Sequence, residues 1–491
     1  MQGSVDLREQ QPALWALLLS LGLAAAAGAI GAGIALGGLP VALGLIVGPP
    51  ALTFAVLCFR YPKLGLFTAF GIGFFLGGLG RILEGVPVGL SVDGLLSISL
   101  IGALFTARRA DFARLNNVLF YLLLVWLVYN VLELLNPEAL SREAWFYAVR
   151  SFSFIWVAAS AVAFLALRRV RDLDRFVRLW LVGCAILALW GFEQQYLPLV
   201  WFDKRWFDSI GIITHFINGH LRSFSFCSDA GQYGAVMAQV TLYALVRAAD
   251  EPMGRKKLLY GALTLYFFWG YAVAGSRGPL FILAAGFAVY LLLRRNIFLM
   301  MVGGVLAGGA FGLLKYTKVG QSNYQVQRMR SALDPEDPSL QLRLANQRAF
   351  AVYMASRPFG AGIGTAGDRG KAFKVESELT KRGIDSWYVK IWVETGPIGL
   401  AIHTFTLVLV SLIGAYRVDR LRHPRIRSVM AGLWCGYVGI LCANYGNMVF
   451  GQYPTNLIMY ISMTFFLFAH RFDREALDAD ATPSSLPANS A

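Results

Sequence analysis

Apolar runs about as long as a bilayer is thick recur along almost the whole 491-residue chain. A hydrocarbon core of about 30 Å needs about 20 apolar residues in a helix. On that criterion about fourteen segments qualify: 13–33, 38–59, 64–83, 90–107, 115–135, 146–167, 176–196, 229–247, 258–275, 278–293, 297–314, 392–415, 428–446 and 454–470. The first two share a short Gly-rich link and also read as one re-entrant hairpin. Asp93 and several serines weaken the fourth. The expected fold is therefore all-α, a polytopic membrane bundle of about 12–14 transmembrane helices with a long, partly helical outward loop. Composition agrees. Hydrophobic residues make up 57% and charged residues only 15%, against about a quarter charged in a soluble domain. That excludes a soluble cytosolic enzyme and a disordered or fibrous chain. The five cysteines are odd in number and widely spaced, so neither a disulfide framework nor a metal site is expected.

The net charge of +15 falls into two populations. Short basic loops stay in the cytoplasm. Those at Arg60/Lys63, Arg108–Arg114, Arg168–Arg178, Arg255–Lys257, Arg294/Arg295 and Arg417–Arg427 each follow an even-numbered segment. With Arg8 and Arg471/Arg474 this predicts both termini inside. The chain divides accordingly: a transmembrane bundle over 1–314 (about eleven spans, with an outer loop at 197–228), a large outward loop at 315–391, further transmembrane helices over 392–470, and a disordered inner tail at 471–491.

The second population faces outward. The 315–391 loop carries more Lys and Arg than Asp and Glu, which suits an anionic partner such as a pyrophosphate or an acidic saccharide. A solvated surface is the alternative reading. Within it, 340–356 has the spacing of an amphipathic helix near the membrane surface. This helix makes Arg343 and Arg348 candidate substrate contacts. It stops at Arg357-Pro358. Residues 359–367, FGAGIGTAG, follow; Gly362 and Gly364 permit positive φ and close approach of a ligand. No strand–turn–helix context supports a nucleotide loop there, and tight packing against the bundle is the alternative. In DSWYVKIWVETGPIGL, 385–400, Asp385-Ser386 reads as a helix start. Tyr388 belongs to an interfacial aromatic cluster, and Glu394 shares a face with Lys390.

Arg277 sits in a turn of a few residues between two apolar helices. An arginine there, with Gly278 and Pro279 shaping the next helix N-terminus, makes an anion site; snorkelling to lipid phosphate is the alternative. Arg222 precedes SFSFCSDAGQYG in a similar position. Glu193 and Gln194 cluster at the outer end of the seventh segment, and Asn444, Asn447 and Gln452 do so around the thirteenth. Polar residues gathered at one face suggest a cavity opening outward.

Taken together, GSRGPLF at 275–281, RPFGAGIGTAG at 357–367 and DSWYVKIWVETGPIGL at 385–400 resemble the O-antigen ligase/polymerase family and its Wzy_C region, with RSFSFCSDAGQYG at 222–234 a looser counterpart. The resemblance is specific over roughly 220–415 and rests on hydropathy elsewhere. It implies a metal-independent glycosyltransferase of the bacterial inner membrane, using no cofactor and no nucleotide sugar, with its site facing the periplasm. The donor it implies is an oligosaccharide on undecaprenyl pyrophosphate. The acceptor is either the next repeat unit, in an O-antigen or exopolysaccharide polymerase, or lipid A-core, in a ligase; a protein O-oligosaccharyltransferase is a further variant. Membrane lipids and polysaccharide-assembly proteins are the other partners implied, and nucleic acid is not. Arg277 and Arg222 match the arginines assigned to the donor pyrophosphate. Where ligases place a histidine before the x-Ser-x-Tyr element this chain has Asp385, which favours a polymerase. A carboxylate can accept a hydroxyl proton, as an imidazole can, and His215 and His220 are alternative bases. His403 lies too far down its helix, at about 1.5 Å per residue. A transporter or flippase is the reading from another class. No inverted repeat is visible to support it.

Overall fold

The computed structural model describes residues 44–481 except Asn218, together with Ser20 and Gly38. Apart from Ser20, the expected span 13–33 lies outside the described residues, as do Arg8 and residues 482–491. The architecture is all-α; among the described residues the sole β-pairing is a two-residue antiparallel ladder, Phe216–Ile217 with His220–Leu221. Among the described residues six helices are long and apolar enough to cross a membrane: Gly89–Thr106, Val118–Leu135, Arg142–Ala166, Val170–Tyr196, Trp387–Asp419 and Pro424–Ala443. Gly44–Arg60 and Pro62–Gly73, bent by 118° at Tyr61, make a seventh if they count as one span. Other expected segments form the helices Ala230–Asp250, Arg255–Val273, Leu280–Arg294, Ile297–Tyr316 and Thr455–Ala481. The protein is a multi-pass membrane protein.

Local signals set the helix starts. Asp229 accepts the Gln232 N–H at 3.0 Å at the head of Ala230–Asp250, and Pro424 opens Pro424–Ala443 behind the His423 cap, where its missing N–H costs nothing. Ala230–Asp250 is the central helix, buried along most of its length and packed by Val170–Tyr196, Arg255–Val273, Leu280–Arg294 and Pro424–Ala443. Around it the outer helices turn large apolar side chains outward, Phe105, Val128, Leu189 and Leu412 among them, as a lipid-facing surface requires.

Three expected segments differ in detail. The run 64–83 breaks into Pro62–Gly73 and Leu76–Ile82. The second piece turns to meet the 197–228 loop, where Gly78 N–H donates to Phe226 O at 3.1 Å and Arg81 to Cys227 O at 2.9 Å. The helix expected to start at Asp385-Ser386 does begin at Trp387 and runs on into the span expected from 392, but it kinks at Gly396-Pro397, because Pro397 has no N–H to donate. The tail expected to be disordered from 471 stays helical to Ala481. Phe472 is buried, Asp473 accepts from the Arg422 and His423 N–H groups, and Glu475 accepts from Val170 N–H at 3.0 Å.

Candidate active site

The 197–228 loop is fixed by a buried polar cluster. Asp203 forms an ion pair with Arg81 at 2.7 Å, and both side chains are almost fully buried. Asp203 also accepts from Trp190 at 2.9 Å and from Gln194 Nε2 at 2.7 Å. Gln194 Oε1 accepts from the Phe224 and Ser225 N–H groups at 3.0 and 2.7 Å. Expected as a substrate contact, Gln194 has its amide filled by the loop. Glu193, on the next position of the helix, is half-buried and does not join this cluster. His215 is likewise committed: its Nε2 accepts the Ala230 N–H at 3.1 Å and its ring packs on Trp206 and Phe224. Burial first, and then the Arg222 charge, push the imidazole down to about 4. It is a cap for the central helix, not a base.

This scaffold delivers Arg222 to the Arg277 turn. Ser223 N–H donates to Val273 O at 3.1 Å, and a Cβ added at Gly275 would lie 3.3 Å from Arg222 Cγ. One Arg222 N–H reaches Thr214 O at 2.8 Å; its Nε is buried with no hydrogen-bond partner among the described residues. Burial, then the Arg328 charge, pull the Arg222 guanidinium below its ordinary value; Arg277 adds to the effect, while Tyr324 and Asp229 oppose it. Arg328 donates to Gly275 O at 3.1 Å and is also lowered by burial, then by Arg277. Three arginines thus crowd one turn. Arg328 and the buried Tyr324 hydroxyl, which has no hydrogen-bond partner among the described residues, are not marked as site residues by the sequence.

Arg277 donates to Asp337, to Ser339 and, at 3.4 Å, to Ser331. Asp337 also caps the helix Pro338–Met354, accepting the Ser339 and Leu340 N–H groups at 3.0 and 3.1 Å. Burial alone would raise the Asp337 carboxyl, but its hydrogen bonds to Arg277 and Ser339 outweigh that and hold it below the usual carboxylate range. Beside the pair lies a cavity of about 210 Å³, lined by Arg277, Ser331, Asp337, Ser339, Arg343 and Tyr445.

Arg343 links this cavity to Asp385, donating to its carboxylate at 3.1 Å. The cap of helix Trp387–Asp419 is Ser386, which accepts the Val389 N–H, so the Asp385 carboxylate is free of capping and 57% exposed. Its position is set by Trp387 N–H, which donates to Asn444 O at 3.0 Å. Arg277 and Arg343 therefore line one cavity, Asp385 adjoins it through Arg343, and Arg222 lies behind the Arg277 turn.

The remaining candidates lie elsewhere. Arg348 is exposed and does not line the cavity. Gly362 and Gly364 take φ of 94° and 83°, as the glycine pattern predicts, but they pack on Ala139 and Ala144, where a Cβ would come within 2.8 Å and 2.5 Å. The loop is a packing element. Glu394 is fully buried; its Oε1 accepts the Ala366 N–H at 3.3 Å and its backbone carbonyl the Gly362 N–H at 3.1 Å, so it anchors that loop. Tyr388 donates to Leu441 O at 2.8 Å, joining two helices. His403 accepts from Trp387 Nε1 at 2.9 Å among buried aromatics.

Residues 262–404 match the family model Wzy_C, O-antigen ligase. The matched stretch takes in Arg277, Arg328, Asp337, Arg343 and Asp385 and leaves Arg222 outside. No curated protein matches the chain. The Wzy_C match, on a multi-pass membrane protein, supports a membrane polysaccharide ligase- or polymerase-type enzyme.

Proposed function

We propose that this protein is a metal-independent membrane glycosyltransferase that polymerises oligosaccharide repeat units carried on undecaprenyl pyrophosphate, at the periplasmic face of the bacterial inner membrane. In this reading 1–314 and 392–470 form the bundle, 315–391 is the periplasmic loop, and both termini are cytoplasmic. The observation that carries it is that Arg277 and Arg343 line one cavity and Arg343 holds the Asp385 carboxylate at 3.1 Å beside it.

The chemistry needs little more. The donor sugar is already activated as a pyrophosphate ester. An acceptor hydroxyl oxygen bonds to the anomeric carbon while the bond from that carbon to the pyrophosphate oxygen breaks. The hydroxyl proton passes to the Asp385 carboxylate, and undecaprenyl pyrophosphate leaves with the bonding electron pair. Arg277 offers paired N–H donors to the charge that develops on the leaving phosphate, a form of stabilisation that acts in the transition state. Arg222 and Arg328 add positive potential from behind the turn. Arg343 orients Asp385.

Arg277→Ala is expected to cut polymer formation by about 10²–10³-fold, as loss of one oxyanion donor does. Asp385→Asn should cut it by about 10²–10⁴-fold, as loss of a general base does. In both, lipid-linked single repeat units should accumulate on the outer leaflet. Accumulation on the inner leaflet would turn the reading to a transporter. Wild-type polymer from Asp385→Asn would remove the carboxylate from the chemistry. Long lipid-linked chains that fail to reach lipid A-core in a deletion strain would mark a ligase.

A further inference from the structure

We propose that a second cavity, at the end of the bundle opposite Arg277, binds the phosphate headgroup of an anionic phospholipid. The helix Val170–Tyr196 connects the two ends: its 27 residues span about 40 Å, its last residue leads into the 197–228 loop, and its first turns line this cavity. The cavity holds about 820 Å³ between that helix, the start of Pro62–Gly73 and the ends of Gly89–Thr106 and Arg142–Ala166.

Six cations line it, Arg60, Lys63, Arg168, Arg169, Arg171 and Arg175, against one carboxylate, Asp172. That carboxylate is already engaged. It accepts Lys63 Nζ at 2.7 Å and the Arg168 and Arg169 N–H groups at 2.8 and 3.1 Å. Arg168 pairs with Asp111 at 2.8 Å. The side chains of Arg60, Arg169, Arg171 and Arg175 form no ion pair among the described residues and are exposed. Four guanidinium groups around one opening set up a positive potential that favours an anion there.

The walls decide which anion. Leu64 and Leu179 line the cavity and are each 38% exposed, and Phe67 and Leu165 continue the apolar surface. A free aqueous anion gains nothing from that surface. A phospholipid places its phosphate among the guanidinium groups and its acyl chains along the leucines. Basic pockets between membrane helices take phospholipid headgroups in this way. The inference is independent of the donor chemistry proposed for Arg277.

The test uses the full chain in nanodiscs of phosphatidylcholine doped with dioleoyl phosphatidylglycerol, followed by native mass spectrometry after release into detergent. Retention of phosphatidylglycerol over phosphatidylcholine is expected. Arg171→Gln and Arg175→Gln should each weaken retention about fivefold, since one cation near a lipid phosphate is worth about that factor. Arg178→Gln removes the same charge from the same helix outside the cavity and should change retention less than about twofold. All three exchange one good helix former for another, and retained transferase activity confirms folding. Equal losses in all three variants would reduce the effect to general surface charge. Displacement of the lipid by excess inorganic phosphate would make the cavity a free-anion site. Either result overturns the proposal.

Discussion

The 197–228 loop and the 315–391 loop meet at the Arg277 turn, yet the first turns its polar groups on itself while the second leaves them facing a cavity. In the first, Asp203 and His215, with Arg81 and Gln194 from the helices beside the loop, are buried and matched to one another or to backbone. In the second, Arg343 and Asp385 stay partly exposed and Arg277 opens onto about 210 Å³ of space. Saturated buried polar groups specify a shape, whereas partly exposed charged groups around a cavity are available to a ligand. The difference separates scaffold from working surface, and it predicts different failures on each side.

The largest effect belongs to the scaffold. Arg81→Ala leaves Asp203 as an uncompensated charge that is 0% exposed, and breaking a buried pair in this way costs about 3–5 kcal/mol. The melting temperature in detergent should fall, and limited proteolysis should open the chain at Lys204 and Arg205. A variant with wild-type melting and an intact loop would show that the cluster does not hold the loop. Loss of activity with no change in stability would instead move Arg81 to the working side.

A second scaffold effect appears with pH. His215 is held neutral, its pKa pushed from 6.5 down to about 4 by burial first and then by Arg222, with Arg81 adding and Asp229 opposing. Between those values the unfolded chain binds the proton and the folded chain does not, so stability rises with pH there. The contribution is complete above about pH 6.5 and is lost as pH falls toward about 4, for a total of about 3 kcal/mol. The melting temperature of wild type should therefore drop across that window more steeply than that of His215→Gln. Parallel slopes would take His215 out of the scaffold.

The bundle was legible because a run of apolar residues encodes a membrane helix locally. The Arg277 turn was legible for the converse reason: an arginine between two apolar helices stands out. What the sequence hid was pairing across distance. Asp337 lies 60 positions from Arg277, and nothing in DPEDPSL beyond its helix-start pattern marks it as a counter-ion. Gln194 reads as an exposed polar residue at a helix end, and only the folded loop shows its amide filled. The glycines at 362 and 364 were rightly read as positive-φ positions, but local conformation says nothing about whether a ligand or Ala139 fills the space beside them. The break at Phe74–Phe75 was hidden inside an unbroken apolar run, because the force that turns the chain is its contact with the 197–228 loop.

The smallest effect probes the working side most directly. Asp337 occupies the guanidinium that the proposed donor pyrophosphate needs, so donor and side chain compete. Asp337→Asn removes the charge but keeps an oxygen to accept the Ser339 and Leu340 N–H groups, and asparagine caps helices as well as aspartate does. The helix should therefore be kept, and the melting temperature should fall only by the loss of the ion pair. A partly buried pair of this kind is worth about 1 kcal/mol, so the donor KM should fall about fivefold with little change in kcat. The pH dependence follows from the sign. The Asp337 carboxyl is held below the usual carboxylate range, so the pair is intact at neutral pH and is lost only as pH falls through that lowered value. The KM difference between variant and wild type should accordingly be constant between about pH 6 and 8. An unchanged or higher KM in Asp337→Asn would mean that the carboxylate helps hold the donor site in shape instead of competing for it, and the 315–391 loop would then be built on the same self-saturating plan as the 197–228 loop.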